Sequence, residues 1–382
     1  MRQKIAESRE RRAESQGQRA RFSPLPSTLG SQRSFSRGLG IVLGAAALLL
    51  MAMLLAVGNG TLEISPLTTL EAVVKGISGQ RLEGMATIVW ELRLPRVLIA
   101  ALVGAVLALA GASMQGLFRN PLADPYLLGI ASGASLGATI AILGLGGAAF
   151  QAAGLLTQSV SSSVPVFAFI GALAAVTLTL ALSKFGSSGS GSSGGSPSEG
   201  IILAGVVVGG LCVALSTYLI LQDPVRMRAA FSWSLGSLST VGYDTAGLLL
   251  LYALPGAILT IVGSRYLDAL QLGEDTARTL GLNVGAVRFA LIAASSLMVA
   301  AAVSFVGIIG FVGLVAPHIA RRLGAVTHRW LLPASALIGA TVLVLADLAA
   351  RVLVRPSELP VGILTTLIGG PFFLWLLQRR RV

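Results

Sequence analysis

The sequence predicts an all-α, polytopic membrane protein with about ten transmembrane helices. Hydrophobic residues make up 54% of the 382-residue chain, charged residues make up only 12%, and the mean hydropathy is +0.82. Uncharged runs of membrane length recur along the chain, for example from Val97 to Phe118. A soluble domain needs far more charged surface, whereas a helix of about 20 apolar residues crosses the hydrocarbon core of a bilayer.

The apolar runs place most of the spans in order along the chain. The first run, at 39–57, is longer than the apolar core of about 7 to 15 residues in a signal peptide, so we expect an uncleaved helix. Charge, glycine or proline bounds each of the later runs. These runs lie at about 96–116, 127–148, 164–183, 201–221, 246–264, 331–350 and 362–378.

One uncharged region, residues 289–317, is too long for a single straight span. Gly307, Gly310 and Gly313 interrupt it, which predicts a full helix, a turn near Gly307 and a shorter helix that returns toward His318. The number of spans here decides on which side of the membrane the later loops lie. Two spans place 20 of the 28 Lys and Arg residues on the cytoplasmic side, whereas one span places 16 there. The positive-inside rule therefore favours two spans, ten helices in all, and cytoplasmic termini.

Two polar segments lie outside the apolar runs. Residues 1–38 hold nine Lys and Arg against three Glu, so we expect a basic, disordered cytoplasmic tail that touches anionic lipid. The tail has only two aromatic residues, which argues against nucleic-acid binding. A Gly/Ser-rich stretch at about 185–199 is typical of a flexible linker and is cytoplasmic by the helix count. The remainder, 39–382, is predicted to form one transmembrane domain.

Glycines recur every four residues on two of the predicted helices. A spacing of four places them on one helix face, where a neighbouring helix can approach closely. These glycines predict tight helix packing. They are Gly129, Gly133 and Gly137 on the third helix and Gly205 and Gly209 on the fifth.

The predicted cytoplasmic loop at 265–288 contains a short amphipathic helix pattern from about Gly273 to Leu280. Acidic residues stand in its first turn and Arg278 stands near its end, as the helix dipole favours. Gly281 is placed to end this helix. The pattern alone leaves open whether this is a docking element or a solvated connector.

Residue patterns for catalysis are sparse. None of the three lysines is followed by Ser or Thr, so the chain has no GxxxxGK[ST] phosphate loop and is not by itself a P-loop ATPase. No His, Cys and carboxylate residues have the spacing of a metal site. We expect no catalytic residues, no metal site and no cofactor on this chain.

One acidic residue, Asp347, lies within the predicted span at 331–350. Arg351 follows four residues later on the same helical face, where the two side chains can pair. A buried ionisable residue is costly in lipid, so it indicates either a structural ion pair or a proton-coupling carboxylate. We favour the ion pair.

Long motifs after residue 39 resemble one family of transporters. Two of them read GLFRNPLADPYLLGIASGASLGA and SFVGIIGFVGLVAPHIARRL. The motifs as a whole cover Arg93–Ala138, Gln271–Val284, Ser304–Leu323, His328–Leu353 and Glu358–Leu377. In these stretches the chain resembles the FecCD family, the membrane permeases of ABC importers for iron–siderophore complexes, haem and vitamin B12.

The resemblance implies the architecture of a type II ABC importer permease, with ten helices per subunit. It further implies a homodimer, or a pair with a paralogous permease, with the pathway at the two-fold interface. Two ABC ATPase subunits and an extracytoplasmic substrate-binding protein are the implied partners. The implied location is the inner or plasma membrane of a bacterium or archaeon.

The resemblance also implies roles for particular residues. Arg93, Arg96 and Arg351 match positions at which the vitamin B12 permease meets glutamates of its binding protein. The segment at about 271–286 matches the family's coupling region, which sits in a cleft on the ATPase subunit. Its matching residues are Gly273, Glu274, Ala277, Arg278, Leu280 and Gly281.

We therefore expect a permease subunit that translocates iron–siderophore complexes, haem or cobalamin by alternating access, driven by separate ATPase subunits. The alternative is an ion-coupled secondary transporter, with which Asp347 and the interrupted region at 289–317 are compatible. Uptake driven by an ion gradient without ATP distinguishes the alternative from the importer.

Overall fold

A computed structural model describes residues 27–60, 64–144, 160–188, 197–239 and 242–379, and the regular structure of these residues is helical. The longer helices are α1 (Ser27–Gly58), α3 (Met85–Leu117), α5 (Val160–Ser188), α6 (Pro197–Leu221), α8 (Tyr243–Val262), α11 (Val284–Val306), α13 (His328–Val352) and α14 (Val361–Arg379). The shorter helices are α2 (Pro66–Ile77), α4 (Ile130–Ile142), α7 (Pro224–Ser234), α9 (Ser264–Gln271), α10 (Glu274–Thr279) and α12 (Val312–Arg322).

The described helices confirm the predicted fold class. Seven of them are long and apolar enough to cross a membrane, namely α1, α3, α5, α6, α8, α11 and α13. Three more helices stand where the sequence predicts the remaining spans, namely α4 with 13 residues, α12 with 11 and α14 with 19. Each of the ten predicted positions therefore contains a helix among the described residues, and α4 and α12 are shorter than a full span.

The interrupted region at 289–317 is built as predicted. Helix α11 ends at Val306, and α12 begins at Val312 and ends at Arg322. Gly307 makes the turn with a φ of 74°, and a Cβ atom there would lie closer than 3.0 Å to the backbone of Trp233. Only glycine fits both this backbone conformation and this contact.

Some boundaries differ from the sequence prediction. Contacts divide the chain into two units, Met1–Gly40 and Ile41–Val382. Helix α1 begins at Ser27, ahead of the predicted start at 39, because extending a nucleated helix costs little even through polar residues. Residues 27–38 of the predicted tail are thus helical, and residues 1–26 lie outside the described part. The predicted linker at 185–199 is helical at both ends, and its residues 189–196 also lie outside the described part.

Helices α3, α11 and α13 are the most buried of the long helices. Gly104 of α3 faces Gly339 of α13, and a Cβ atom at either position would lie less than 3.0 Å from the other's backbone. A Cβ atom at Gly111 of α3 would likewise lie less than 3.0 Å from the backbone of Gly313 on α12, and one at Gly313 would lie 2.9 Å from the Leu107 carbonyl of α3. The backbones therefore touch directly, as small residues permit in membrane bundles.

The predicted packing glycines make close contacts, although Gly129 does so differently from the others. Gly133 and Gly137 lie on α4 and pack against the backbone of α5, and Gly205 on α6 packs against the backbone of Leu127. A Cβ atom at Gly209 would lie 3.2 Å from the Ser132 hydroxyl. Gly129 precedes α4 rather than lying on it, and its φ of 81° makes the turn into that helix.

A polar elbow joins α3 to α4. The Asn120 carboxamide accepts a hydrogen bond from the Leu122 N–H, and the Asp124 carboxylate accepts one from the Tyr126 N–H, at 3.0 and 2.8 Å. These are the turn-stabilising contacts that Asn and Asp before proline favour. The Tyr126 hydroxyl then donates to the Ile309 carbonyl at 2.9 Å, which ties the elbow to the break between α11 and α12.

Helix α3 contains one π-helical turn at Ile88–Arg93. The Trp90 carbonyl in this turn accepts a hydrogen bond from the Tyr243 hydroxyl at 2.8 Å, and the two aromatic rings lie 5.7 Å apart. The turn therefore connects the start of α3 to the start of α8, immediately before Arg93.

Candidate functional site

Two charged groups lie at opposite ends of the α3 and α13 pair. Arg96 near the start of α3 contacts Asp347 near the end of α13. At the other end, Gly116 of α3 faces the ring of His328, the first residue of α13. We call the first group the arginine cluster, and it comprises Arg93, Arg96, Asp347, Arg351, Arg355 and Glu358.

Asp347 is the centre of the arginine cluster and is 1% exposed. Its Oδ1 accepts hydrogen bonds from Nη2 and Nε of Arg96 at 2.8 and 3.0 Å. Its Oδ2 lies 3.0 Å from Nε of Arg351, one helical turn later. One carboxylate therefore neutralises two guanidinium groups from different helices, which is how a buried charge is tolerated.

The arginines also bind the end of α1. Arg93 donates to the carbonyls of Val57 and Gly58 at 3.0 Å each, and Arg351 donates to those of Ala56 and Asn59 at 3.1 and 3.2 Å. The last carbonyls of a helix lack partners within the helix and carry the negative end of its dipole. Cationic side chains at this position therefore stabilise the end of α1.

The structure brings the three predicted docking arginines together but buries two of them. Arg93 is 7% exposed and Arg351 is 3% exposed, whereas the Arg96 side chain is 13% exposed. Arg96 also pairs with Glu358 at 2.8 Å, and the Glu358 side chain is 33% exposed. Arg96 and Glu358 are thus more accessible than Arg93 and Arg351, and Arg355 is exposed as well.

Sequence reasoning missed two members of this cluster. Glu358 pairs with Arg96, and Arg355 donates to the Gly60 carbonyl at 2.6 Å. Both lie in the short connection between α13 and α14, three residues apart. Their position in a short charged connection between two apolar runs could have indicated that these residues form ion pairs or hydrogen bonds. Their partners are more than 250 residues away in sequence, so the sequence did not identify them.

The second site is residues 271–286, for which the resemblance predicts coupling to an ATPase subunit and which we call the coupling segment. The predicted helix is present as α10, Glu274–Thr279, between Gly273 with a φ of 110° and Gly281 with a φ of 83°. The Gly281 and Leu282 N–H groups donate to the carbonyls of Arg278 and Ala277 at 2.9 and 3.1 Å. This pair of bonds is the Schellman pattern that ends a helix at a left-handed glycine.

The coupling segment presents a mixed apolar and charged surface. Leu272 and Leu280, which flank α10, are 68% and 63% exposed, and the Asp275 side chain is fully exposed. Ala277 is completely buried and holds the helix against the rest of the protein. Exposed leucines beside charged groups are typical of a surface that a partner protein covers.

Two contacts tie the coupling segment to different long helices. Glu274 pairs with Arg288 of α11. Asp268, on the preceding helix α9, accepts a hydrogen bond from the His328 N–H at 2.9 Å and lies 2.7 Å from Nδ1 of the same histidine. Nearby, Arg321 donates to the Gln115 carboxamide at 2.6 Å, which joins α12 to α3.

Within the described residues, no group of three or more His, Cys, Asp or Glu side chains is arranged to hold a metal ion.

Comparison with known proteins identifies relatives over most of the chain. The model of the FecCD transport family matches residues 48–379. The hemin transport system permease protein HmuU of Yersinia pestis is 43% identical over 77% of this chain and 84% of its own length. The Fe(3+)-citrate import system permease protein YfmE of Bacillus subtilis (strain 168) is 37% identical over 91% of this chain and 97% of its own length.

A solved structure shares the architecture. It shows a metal-chelate type ABC transporter in an inward-facing conformation and is 30% identical to this chain, with a TM-score of 0.73. The match covers 89% of this chain and 99% of the other. The fold described above is thus that of a known class of transporter subunit.

Proposed function

The chain belongs to the FecCD transport family, and from this membership we propose that it is the membrane-spanning permease subunit of an ATP-binding cassette importer. The observation that carries the proposal is the family match over residues 48–379, which includes every helix from α2 to α14. The subunit provides the pathway, and separate ATPase subunits supply the energy. This division agrees with a sequence that has no phosphate loop of its own.

The proposed cargo is a metal chelate: an iron–siderophore complex, haem or cobalamin. The names of the relatives support this class, since one transports hemin and another imports Fe(3+)-citrate. The metal in such a cargo travels inside its chelate, so the permease has no need to ligate it. The described residues, which hold no metal-binding group, fit a cargo of this kind.

In the proposed assembly, two copies of the subunit, or one copy and a paralogous permease, form the pathway between them. The coupling segment faces the cytoplasm and docks on an ATPase subunit, and the arginine cluster faces outside. The excess of Lys and Arg in the inside segments supports this orientation, with both termini in the cytoplasm of a bacterial or archaeal cell. Closure of the ATPase subunits then moves the helices as rigid bodies in alternating access.

The arginine cluster is the proposed docking point for the substrate-binding protein. Arg96 is the most accessible of the three arginines, so it is the one that a glutamate of that protein reaches first. Arg93 and Arg351 contribute to the positive field and hold the end of α1 in place. Charges at the rim of an interface chiefly affect orientation and association rate.

The test of function is reconstitution in proteoliposomes with a binding protein and an ATPase subunit encoded beside this gene. We expect uptake of a labelled ferric siderophore, haem or cobalamin that requires ATP and continues when ionophores collapse all ion gradients. Uptake that follows an ion gradient without ATP would instead establish the secondary transporter and refute the importer.

The test of coupling is Leu280→Glu, which places a charge on the exposed apolar surface beside α10. We expect copurification of the ATPase subunits to fall at least about tenfold, since a buried unpaired charge at an interface costs several kcal/mol. Leu353→Glu is the matched control, because Leu353 is also 63% exposed but lies after α13, near the arginine cluster. Equal copurification with both variants contradicts the assignment.

A further inference from the structure

The contact between Asp268 and His328 joins three helices at one point. Asp268 lies on α9, which leads directly into the coupling segment, and its Oδ1 receives the backbone N–H of His328 at the start of α13. The same oxygen lies 2.7 Å from Nδ1 of the His328 ring. A carboxylate only accepts hydrogen bonds, so the ring holds its proton on Nδ1 and donates it to Asp268.

The other face of this histidine is fixed by close packing. His328 is 2% exposed, and a Cβ atom at Gly116 of α3 would lie 2.5 Å from its Nε2 atom. Leu267, the neighbour of Asp268 on α9, is fully buried and packs at the same place on α3. The ring thus lies between α3 and the carboxylate, and α9 packs closely against α3 at this point.

Helices α3 and α13 behave as one body beyond this point. Their backbones touch at Gly104 and Gly339, near the middle of both helices. At the far end, Arg96 of α3 holds Asp347 of α13 through two hydrogen bonds. A pair of helices joined at both ends and in the middle transmits a displacement along its whole length, because packed interiors resist deformation.

We propose that Asp268 is a positioning residue that transmits movement of the coupling segment, through His328, to the joined α3 and α13 helices. This proposal rests on the proposed function of the coupling segment. The pair of Glu274 and Arg288 connects the same segment to α11 instead. The coupling segment therefore connects to the long helices by two separate contacts, and the contact through Asp268 leads along α3 and α13 to the arginine cluster.

The experiment measures substrate molecules taken up per ATP hydrolysed by the complete reconstituted complex, using Asp268→Asn. Asparagine keeps the size of the side chain but replaces a charge-assisted hydrogen bond with a neutral one of about half the strength. We expect uptake per ATP to fall about tenfold, with ATPase copurification and ATP hydrolysis within about twofold of wild type. Asp244→Asn, which changes an exposed carboxylate on α8, is the control and leaves the ratio unchanged.

A second variant tests whether the two residues act together. His328→Gln lowers the same ratio, and combining it with Asp268→Asn causes a smaller loss than the sum of the two single losses, because both changes weaken one contact. Additive losses refute the link. A lower melting temperature for Asp268→Asn with an unchanged uptake per ATP shows a purely structural role and also refutes it. If the wild-type complex has no ATP-driven uptake, the importer proposal itself fails, which is a different result.

Discussion

Replacing Asp347 by asparagine tests whether the arginine cluster is a structural network or an ion-coupling site. In the wild-type protein this carboxylate is 1% exposed and lies within 3.0 Å of nitrogens from both Arg96 and Arg351. Asparagine keeps the shape but removes the charge, and its amide group places a donor where one of the two carboxylate oxygens accepts from an arginine. Arg96 then retains Glu358, whereas Arg351 retains only backbone carbonyls.

The expected loss of stability is large. At an effective dielectric constant of 20, two unit charges 4 Å apart attract by about 4 kcal/mol. Removing one partner of a buried pair costs about 3–5 kcal/mol, since a charge is left buried without compensation. For a chain of this size that loss lowers the melting temperature on the order of 5 °C.

The assay is thermal unfolding of the purified subunit in detergent or lipid, with Glu358→Gln as the control. Glu358 is 33% exposed at its side chain and has one arginine partner, so its replacement costs about 1 kcal/mol or less. A melting temperature for Asp347→Asn equal to wild type refutes the structural network. A fully stable variant that has lost uptake driven by a proton gradient would instead identify a proton-coupling carboxylate.

Three further predictions concern the packing. Gly339→Ala lowers the unfolding free energy by about 1–3 kcal/mol, because the added Cβ atom overlaps α3. Gly247→Ala is the control and leaves the free energy unchanged or raises it, because a Cβ atom there meets no other atom within 4 Å. Equal effects of the two variants contradict the close crossing of α3 and α13. Arg119→Gly raises the unfolding free energy by up to about 1 kcal/mol, because Arg119, two residues after the end of α3, has a φ of 48° that suits glycine. Thermal melts measure this change, and a decrease refutes the strain. Tyr243→Phe lowers the unfolding free energy by about 1 kcal/mol, because the hydrogen bond to the Trp90 carbonyl is lost. A melting temperature equal to that of wild type argues against this hydrogen bond.

Hydropathy was enough to predict the fold class and the approximate positions of most of the long helices. The break after Val306 followed from glycines in an uncharged run, and α10 followed from acidic residues at its start and glycines around it. These features depend on neighbouring residues, whose effects on the backbone are local. The family motifs added the overall architecture.

The partners of the buried charges were beyond sequence reasoning. Arg351 was paired with Asp347 by helical spacing, but its bonds to the end of α1 join residues almost 300 positions apart. Nothing in the local pattern around Asp268 indicates that it accepts a hydrogen bond from His328, 60 residues later. Such contacts depend on which distant helices cross and where. The residue pattern of a single sequence does not show this, and the folded structure does.

The π-helical turn at Ile88–Arg93 accommodates one residue more than a regular α-helix would have there. The rotation of about 100° that this residue adds is spread over the wide turn, so the parts of α3 before and after it keep their directions. Trp90 within the turn thus reaches Tyr243 while Arg96 faces Asp347. Deleting one residue within the turn would restore regular α-helix there and change how this stretch meets α8, without disturbing the charged network that follows it.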